Sequence, residues 1–303
     1  GESRGGSAIC FHMTLDAGGA AAFVSKVESL GARTVTPCAA GSMVWRIWGE
    51  GPPLLLLHGA SGSWTHWICN VLPLAARFRV LVPDMPGYGD SDAPPDPHTA
   101  AGLADLLASG LDVLLPPPTE LDLAGFSFGG IVGGLMAARL KRRIRTLVLL
   151  GPGGLGLPRA ATRPLLRIQP GMTHEQSRQV HRENLRTLMI ASADKVDDLA
   201  VSLQIDNLRR ARFKSGDIPQ SDTLLKALPA IQARVTGIWG RRDAFAGANL
   251  EECRRILASA HPELDFRVIE GAGHWTPYEA ADQVNAILCD MLGGSLGERA
   301  RPT

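Results

Sequence analysis

The sequence contains no apolar run close to the roughly 20 residues that a bilayer span requires, so no membrane-crossing segment is expected. It also lacks any Cys-x-x-Cys pair. Its five cysteines (Cys10, Cys38, Cys69, Cys253, Cys289) are scattered and odd in number, which argues against both a disulfide framework and a zinc site. Neither sign of charge is in excess: 31 Lys+Arg stand against 30 Asp+Glu, a net charge of +1. That balance removes the electrostatic basis for binding nucleic acid or an anionic membrane surface. The short basic clusters Lys141-Arg142-Arg143-Ile144-Arg145 and Arg209-Arg210-Ala211-Arg212 read as solvated faces. The first residues lack the charged-then-apolar order of a secretory signal, and a cytoplasmic protein is expected.

What the sequence does have is enough material for a large core: 303 residues, 45% hydrophobic and 20% charged. One domain with an insertion and two domains both fit that length. The organising stretch is Leu121-Asp122-Leu123-Ala124-Gly125-Phe126-Ser127-Phe128-Gly129-Gly130. An apolar run of strand length ends in Gly-x-Ser-x-Gly, and an apolar helical segment follows at once. This is the pattern of a nucleophile elbow, a turn so sharp that Ser127 must hold a strained backbone and only glycine fits at positions 125 and 129. The following helix would aim its free N–H groups at the serine. A second match, Gly293-Gly294-Ser295-Leu296-Gly297, has no strand before it and no histidine after it, and reads as linker chemistry.

A serine hydroxyl needs a base to take its proton and an acid to orient that base. Of eight histidines, only His274 lies in a Gly-rich loop (Gly271-Ala272-Gly273-His274-Trp275) directly after a late strand, at residues 264–269. His58 belongs to the turn His58-Gly59-Ala60-Ser61, and His66 lies just beyond it. Asp243 follows the strand at residues 235–239, and the order Ser127, Asp243, His274 is the one this architecture uses. The turn at His58 follows Leu54-Leu55-Leu56-Leu57, a run suited to the buried middle of a parallel sheet. It supplies the expected second oxyanion donor, the backbone N–H of Ala60, beside that of Phe128.

Two other motifs are set aside. Gly151-Pro152-Gly153-Gly154-Leu155-Gly156 matches Gly-x-Gly-x-x-Gly, but prolines follow where a helix should open and no acid stands about 20 residues on, so a nicotinamide cofactor is rejected. The acidic loop Pro83-Asp84-Met85-Pro86-Gly87-Tyr88-Gly89-Asp90-Ser91-Asp92 is too rich in Pro and Gly to be read as anything but a tight turn. No metal and no cofactor are expected.

Alternation of strands and helices implies a mostly parallel central sheet covered by helices on both faces. The expected division is an N-terminal extension at 1–40, a core at 41–157 and 231–292, an inserted helical cap at 158–230, and a flexible tail at 293–303. The segment at residues 43–48 alternates like a half-exposed strand.

From Val44 to Leu292 these motifs resemble the α/β-hydrolase superfamily. The stretches Leu149 to Gly156 and Gly273-His274-Trp275 further resemble the meta-cleavage product hydrolases, which cut carbon-carbon bonds in products of aromatic catabolism. Two features depart from that smaller group. The oxyanion loop is shorter in glycine, and Phe126 stands where the group has Asn before the nucleophile. For its cap arginine, Arg209 and Arg210 are the candidates.

The expected activity is hydrolysis of carboxylic esters of small to medium hydrophobic substrates through an acyl-enzyme at Ser127. Carbon-carbon hydrolysis of a dienoate and lactone hydrolysis are the alternatives, with a non-enzymatic binding module as the contrasting class. Trp64, Phe126 and Trp275 are the candidate substrate-binding residues. The expected partner is a small hydrophobic ester or related carbonyl compound, and a homo-oligomer is compatible with the reading.

Overall fold

The structure is a computed structural model, and it describes residues 17–292. The tail expected at 293–303 lies outside the described residues. Eight strands form one sheet: β1 (Ala32–Cys38), β2 (Gly41–Trp48), β3 (Pro53–Leu57), β4 (Arg79–Pro83), β5 (Leu121–Phe126), β6 (Ile144–Leu150), β7 (Arg234–Gly240) and β8 (Asp265–Ile269). Their order is β1-β2-β4-β3-β5-β6-β7-β8. The β1–β2 and β2–β4 pairs are antiparallel, and from β4 to β8 every pair is parallel.

Ten helices accompany the sheet among the described residues: α1 (Ala17–Ser29), α2 (Val71–Ala75), α3 (Ala100–Leu114), α4 (Phe128–Leu140), α5 (His174–Leu188), α6 (Asp198–Arg210), α7 (Thr223–Ala227), α8 (Leu250–Ala260), α9 (Thr276–Glu279) and α10 (Ala281–Met291). None is long and apolar enough to cross a membrane. Helices α5, α6 and α7 all fall between β6 and β7.

The unbroken apolar runs are explained by the two-sided core. Successive side chains of a strand point to opposite faces, so Leu55 and Leu57 join one cluster with Leu103, Leu107 and Leu111 of α3 and Ile131, Val132 and Met136 of α4. Leu54 and Leu56 join the other, with Val71 and Leu74 of α2 and Val284 and Leu288 of α10. Helix starts follow local chemistry. The Thr99 hydroxyl caps α3 by accepting from Gly102 N–H, and Thr173 with Gln176 forms a capping box on α5.

Two expectations are corrected here. The core does not begin at residue 41, because β1 pairs with β2 along its whole length and is the edge strand of the same sheet. Its Thr-rich sequence with Pro37 gives little strand signal. Nor is β2 half exposed. It lies between β1 and β4, and Trp45 and Trp48 are buried on opposite faces, their indole N–H groups donating to Thr36 Oγ1 and Val27 O. Cys69 is disulfide-bonded, which its spacing from the other cysteines did not predict.

The interior of β2 also carries a charge. Arg46 is 3% exposed and meets Asp84 at 2.9 Å, Glu28 at 2.5 Å and Asp90 at 2.5 Å. Asp84 is fully buried, and its other oxygen accepts from Trp64 N–H at 2.8 Å. The loop read in sequence as a tight turn is thus pinned to β2 by one guanidinium, and to the segment after β3 by Asp84. Removing one partner of such a cluster leaves a buried charge uncompensated. Arg46→Met is expected to lower the unfolding free energy by about 3–5 kcal/mol in a urea titration. A loss below about 1 kcal/mol, the value of an exposed pair, would show that Asp84 does not depend on it.

Candidate active site

Strand β5 delivers Ser127 to a turn with φ 53° and ψ −117°, a left-handed-side backbone that residues with a Cβ rarely adopt. The turn is held by Ser127 N–H donating to Leu150 O at 2.8 Å. It is possible only with glycine on either side. A Cβ at position 125 would lie 2.4 Å from Gly129 O, and one at 129 would lie 2.5 Å from the carbonyls of Leu57 and His58. The hydroxyl therefore stands at the N-terminus of α4, close against the end of β3.

His274 sits in the loop after β8 and is 3% exposed. Its Nε2 lies 2.9 Å from Ser127 Oγ, and its Nδ1 lies 2.7 Å from Asp243 Oδ2. Asp243 follows β7, and its second oxygen accepts from Phe245 N–H at 2.8 Å and Ala246 N–H at 3.1 Å. Burial alone would raise the Asp243 carboxyl. The charge and hydrogen bond of His274, with the two backbone donors, outweigh burial and hold its pKa below the ordinary value. An ionised Asp243 fixes the proton of His274 on Nδ1, leaving Nε2 to accept from the serine. Gly151, with φ +53°, makes room for this pair: a Cβ there would lie 3.0 Å from Asp243 Oδ2. The glycine run after β6 thus has a packing reason unrelated to a dinucleotide.

The turn after β3 is fixed by two buried histidines. His58 donates from Nδ1 to Gly59 O at 2.8 Å and accepts at Nε2 from Met85 N–H at 2.9 Å, so both nitrogens are used. His66 accepts at Nδ1 from Gly59 N–H at 3.2 Å. With Gly59 held on both sides, the next N–H, that of Ala60, donates to no protein acceptor among the described residues, and neither does that of Phe128 at the start of α4. Both residues line a cavity of ≈ 360 Å³ together with Ser127 and His274.

The cavity wall includes Phe126, His66 and Phe245, with Leu155, Leu157, Leu165, Leu188 and Met189 giving it an apolar character. Of the three residues expected to bind substrate, the structure brings only Phe126 to this wall. Trp64 and Trp275 are corrected to packing residues. Trp64 is 2% exposed and lies under Arg46, whose Cζ is 5.3 Å from its ring, while Trp275 is fully buried and donates to His66 O at 3.0 Å. Arg209 and Arg210 do not line the cavity either. Both meet Asp206, and Arg210 also reaches Asp90 at 2.6 Å. His66 and Arg159 do line it, and sequence reading passed over both. His66 lies seven positions after Gly59, the residue it holds, and Arg159 lies in an irregular stretch without periodicity. Among the described residues no group of three or more His, Cys, Asp or Glu side chains is arranged to hold a metal ion.

The segment between β6 and β7 is tied to these loops by buried polar groups. Ser63 Oγ donates to Asn207 Oδ1 of α6 at 2.7 Å. Glu279 accepts from Gly273, Ala191 and Ser192 N–H at 2.7, 3.1 and 2.7 Å, which joins the His274 loop to the stretch after α5.

Comparison with known proteins gives the family and the fold. Residues 54–287 match the family described as "Alpha/beta hydrolase family". The chain is 27% identical over 265 residues to 2-hydroxy-6-oxo-6-phenylhexa-2,4-dienoate hydrolase of Burkholderia cepacia, covering 80% of this chain and 88% of that relative. Among solved structures it resembles carboxylesterase CesB of Bacillus subtilis (TM-score 0.74, 18% identity, 91% of this chain and 98% of the other). It also resembles a meta-cleavage product hydrolase of Pseudomonas fluorescens IP01 (TM-score 0.68, 23% identity, 85% and 96%). At these identities the structural likenesses show a shared fold alone.

The two histidines give the fold a pH dependence. Burial holds both below the ordinary imidazole value of about 6.5, His66 well below it. Unfolding therefore takes up protons below about pH 6.5, and stability that is complete above that pH falls as the pH drops through it. Each histidine contributes a slope of about 1.4 kcal/mol per pH unit. Urea midpoints are expected to decline from about pH 7 to pH 5, and His66→Gln is expected to flatten that decline by up to one proton. An unchanged slope in the variant would show that His66 is not held neutral.

Proposed function

We propose, on the premise that this chain belongs to the alpha/beta hydrolase family, that it hydrolyses carboxylic esters of small to medium hydrophobic substrates through an acyl-enzyme at Ser127. The observation that carries this reading is the relay of Ser127 Oγ, His274 and Asp243 at 2.9 and 2.7 Å, opening on a largely apolar cavity.

In this mechanism His274 Nε2 takes the serine proton as Oγ attacks the ester carbonyl. The carbonyl oxygen becomes an oxyanion and accepts from the N–H groups of Ala60 and Phe128. Each such donor contributes about 3 kcal/mol in the transition state, because it is aimed before the reaction begins. The tetrahedral intermediate collapses as His274 returns the proton to the departing alcohol. Water then enters by the same route, with His274 as its base, and frees the acid and the serine. Asp243 keeps its charge throughout and stabilises the imidazolium. The segment at 158–230 acts in this reading as a cap, since Leu165, Leu188, Met189, Pro219 and Gln220 complete the cavity wall.

Carbon-carbon hydrolysis is the second reading, favoured by the similarity to dienoate hydrolases. Phe126 before the nucleophile and the placement of Arg209 and Arg210 away from the cavity weigh against it. The test is turnover of p-nitrophenyl esters of increasing acyl length, beside a dienoate ring-fission product. Ester turnover is expected, abolished in Ser127→Ala and reduced on the order of 10⁴-fold in kcat by Asp243→Asn, which leaves the base in the wrong tautomer. Turnover of the dienoate alone would give carbon-carbon hydrolysis the lead, and ester turnover that survives in Ser127→Ala would remove the nucleophile.

A further inference from the structure

The cavity wall contains a cation that the protein does not pair. Arg159, in the stretch after β6, lines the cavity, and among the described residues its guanidinium makes no hydrogen bond and no ion pair. It lies instead over the ring of Phe245, with Cζ 4.2 Å from the centroid. The Phe245 ring is in turn 4.3 Å from that of His274. One aromatic ring therefore separates the guanidinium from the imidazole that faces Ser127.

The placement is built into the backbone. Ala160 N–H donates to Phe245 O at 3.2 Å, and Asn249 Nδ2 donates to Pro158 O at 3.0 Å. The residues on both sides of Arg159 are thus fixed to the loop that carries Asp243. Stacking on an aromatic face orients the guanidinium plane and strips water from one side of it. Partial burial lowers its pKa, and an arginine so placed still carries its charge. The carboxylate in the cavity wall, Asp243, is already engaged by His274 and two N–H groups.

We propose that Arg159 is a specificity-determining residue that recognises a carboxylate on the substrate, so that the preferred esters are those bearing one carboxylate in addition to the scissile bond. This rests on the ester-hydrolase reading above. The planar fork of donors matches a carboxylate in bidentate geometry. Among the described residues Arg159 is the one Lys or Arg side chain in the wall, which suits a monoanion, since a dianion would retain an unpaired charge on entering it.

The test compares two matched pairs of esters, 4-nitrophenyl monoglutarate against 4-nitrophenyl valerate, and 4-acetoxybenzoate against 4-methylphenyl acetate, which place the charge on the acyl and the alcohol side. The readout is the ratio of kcat/KM for the charged member to that for the neutral one. The wild type is expected to favour the charged member of at least one pair. That ratio should fall about tenfold or more in Arg159→Met, partly recover in Arg159→Lys, and drop further in Arg159→Glu, as expected for a charge-assisted contact. Because the site is partly open, the wild-type ratio should also decline with added salt, a readout that needs no variant to fold. Turnover of the neutral esters with a ratio that neither Arg159→Met nor salt alters would overturn the inference and leave the ester reading standing. Turnover of no ester by the wild type would remove the ester reading and the inference with it.

Discussion

The backbone of Ser127 occupies a conformation that costs on the order of 1–3 kcal/mol for a residue with a side chain, and much of the surrounding structure can be understood as what holds it there. The parallel pairing of β5 with β3 and β6 brings three strand ends to one level. Leu150 O takes the Ser127 N–H, and Gly129 approaches the carbonyls of Leu57 and His58 more closely than any Cβ would allow. One turn thus sets the distances among Ser127, the N–H groups of Ala60 and Phe128, and His274. Ser127 and Phe128 follow β5, Ala60 follows β3 and His274 follows β8, so none can shift without disturbing the sheet.

Around that turn, fixed charges and neutral rings divide the work. Arg46 gathers the carboxylates of Glu28, Asp84 and Asp90 into one cluster that holds the loop after β4. His58, by contrast, is a neutral ring that bridges Gly59 O and Met85 N–H, and His66 a neutral ring that accepts from Gly59 N–H. The difference has a physical logic. An ion in the interior needs counter-charges from several directions, whereas a neutral imidazole needs one donor and one acceptor and can sit beside the cavity without adding charge to it.

The site was legible in sequence wherever chemistry demands a rare local pattern. Gly125, Ser127 and Gly129 betray a sharp turn, and Asp243 and His274 follow strands in a fixed order, so their convergence could be read without coordinates. Residues whose role depends on what lies across the fold were not legible. Trp64 and Trp275 carry the same side chain whether they face a cavity or a core, and the fold turns both inward. The participation of β1 is set by pairing with β2, against the weak strand signal of its own sequence. Arg159 gains its meaning from Phe245, which is distant in sequence, and Arg209 and Arg210 lose theirs to Asp206 and Asp90.

Glu279 joins two parts of the chain that are usually thought of as separable. Its carboxylate accepts from Gly273 beside His274 and from Ala191 and Ser192 in the inserted segment. The buried carboxylate keeps these hydrogen bonds only while both parts of the chain are in place. The insertion is therefore not an interchangeable module. A chimaera that grafts a foreign insertion onto this core would leave the Glu279 carboxylate without the Ala191 and Ser192 donors beside the histidine loop, and would have to replace Glu279 as well as the helices it was meant to exchange.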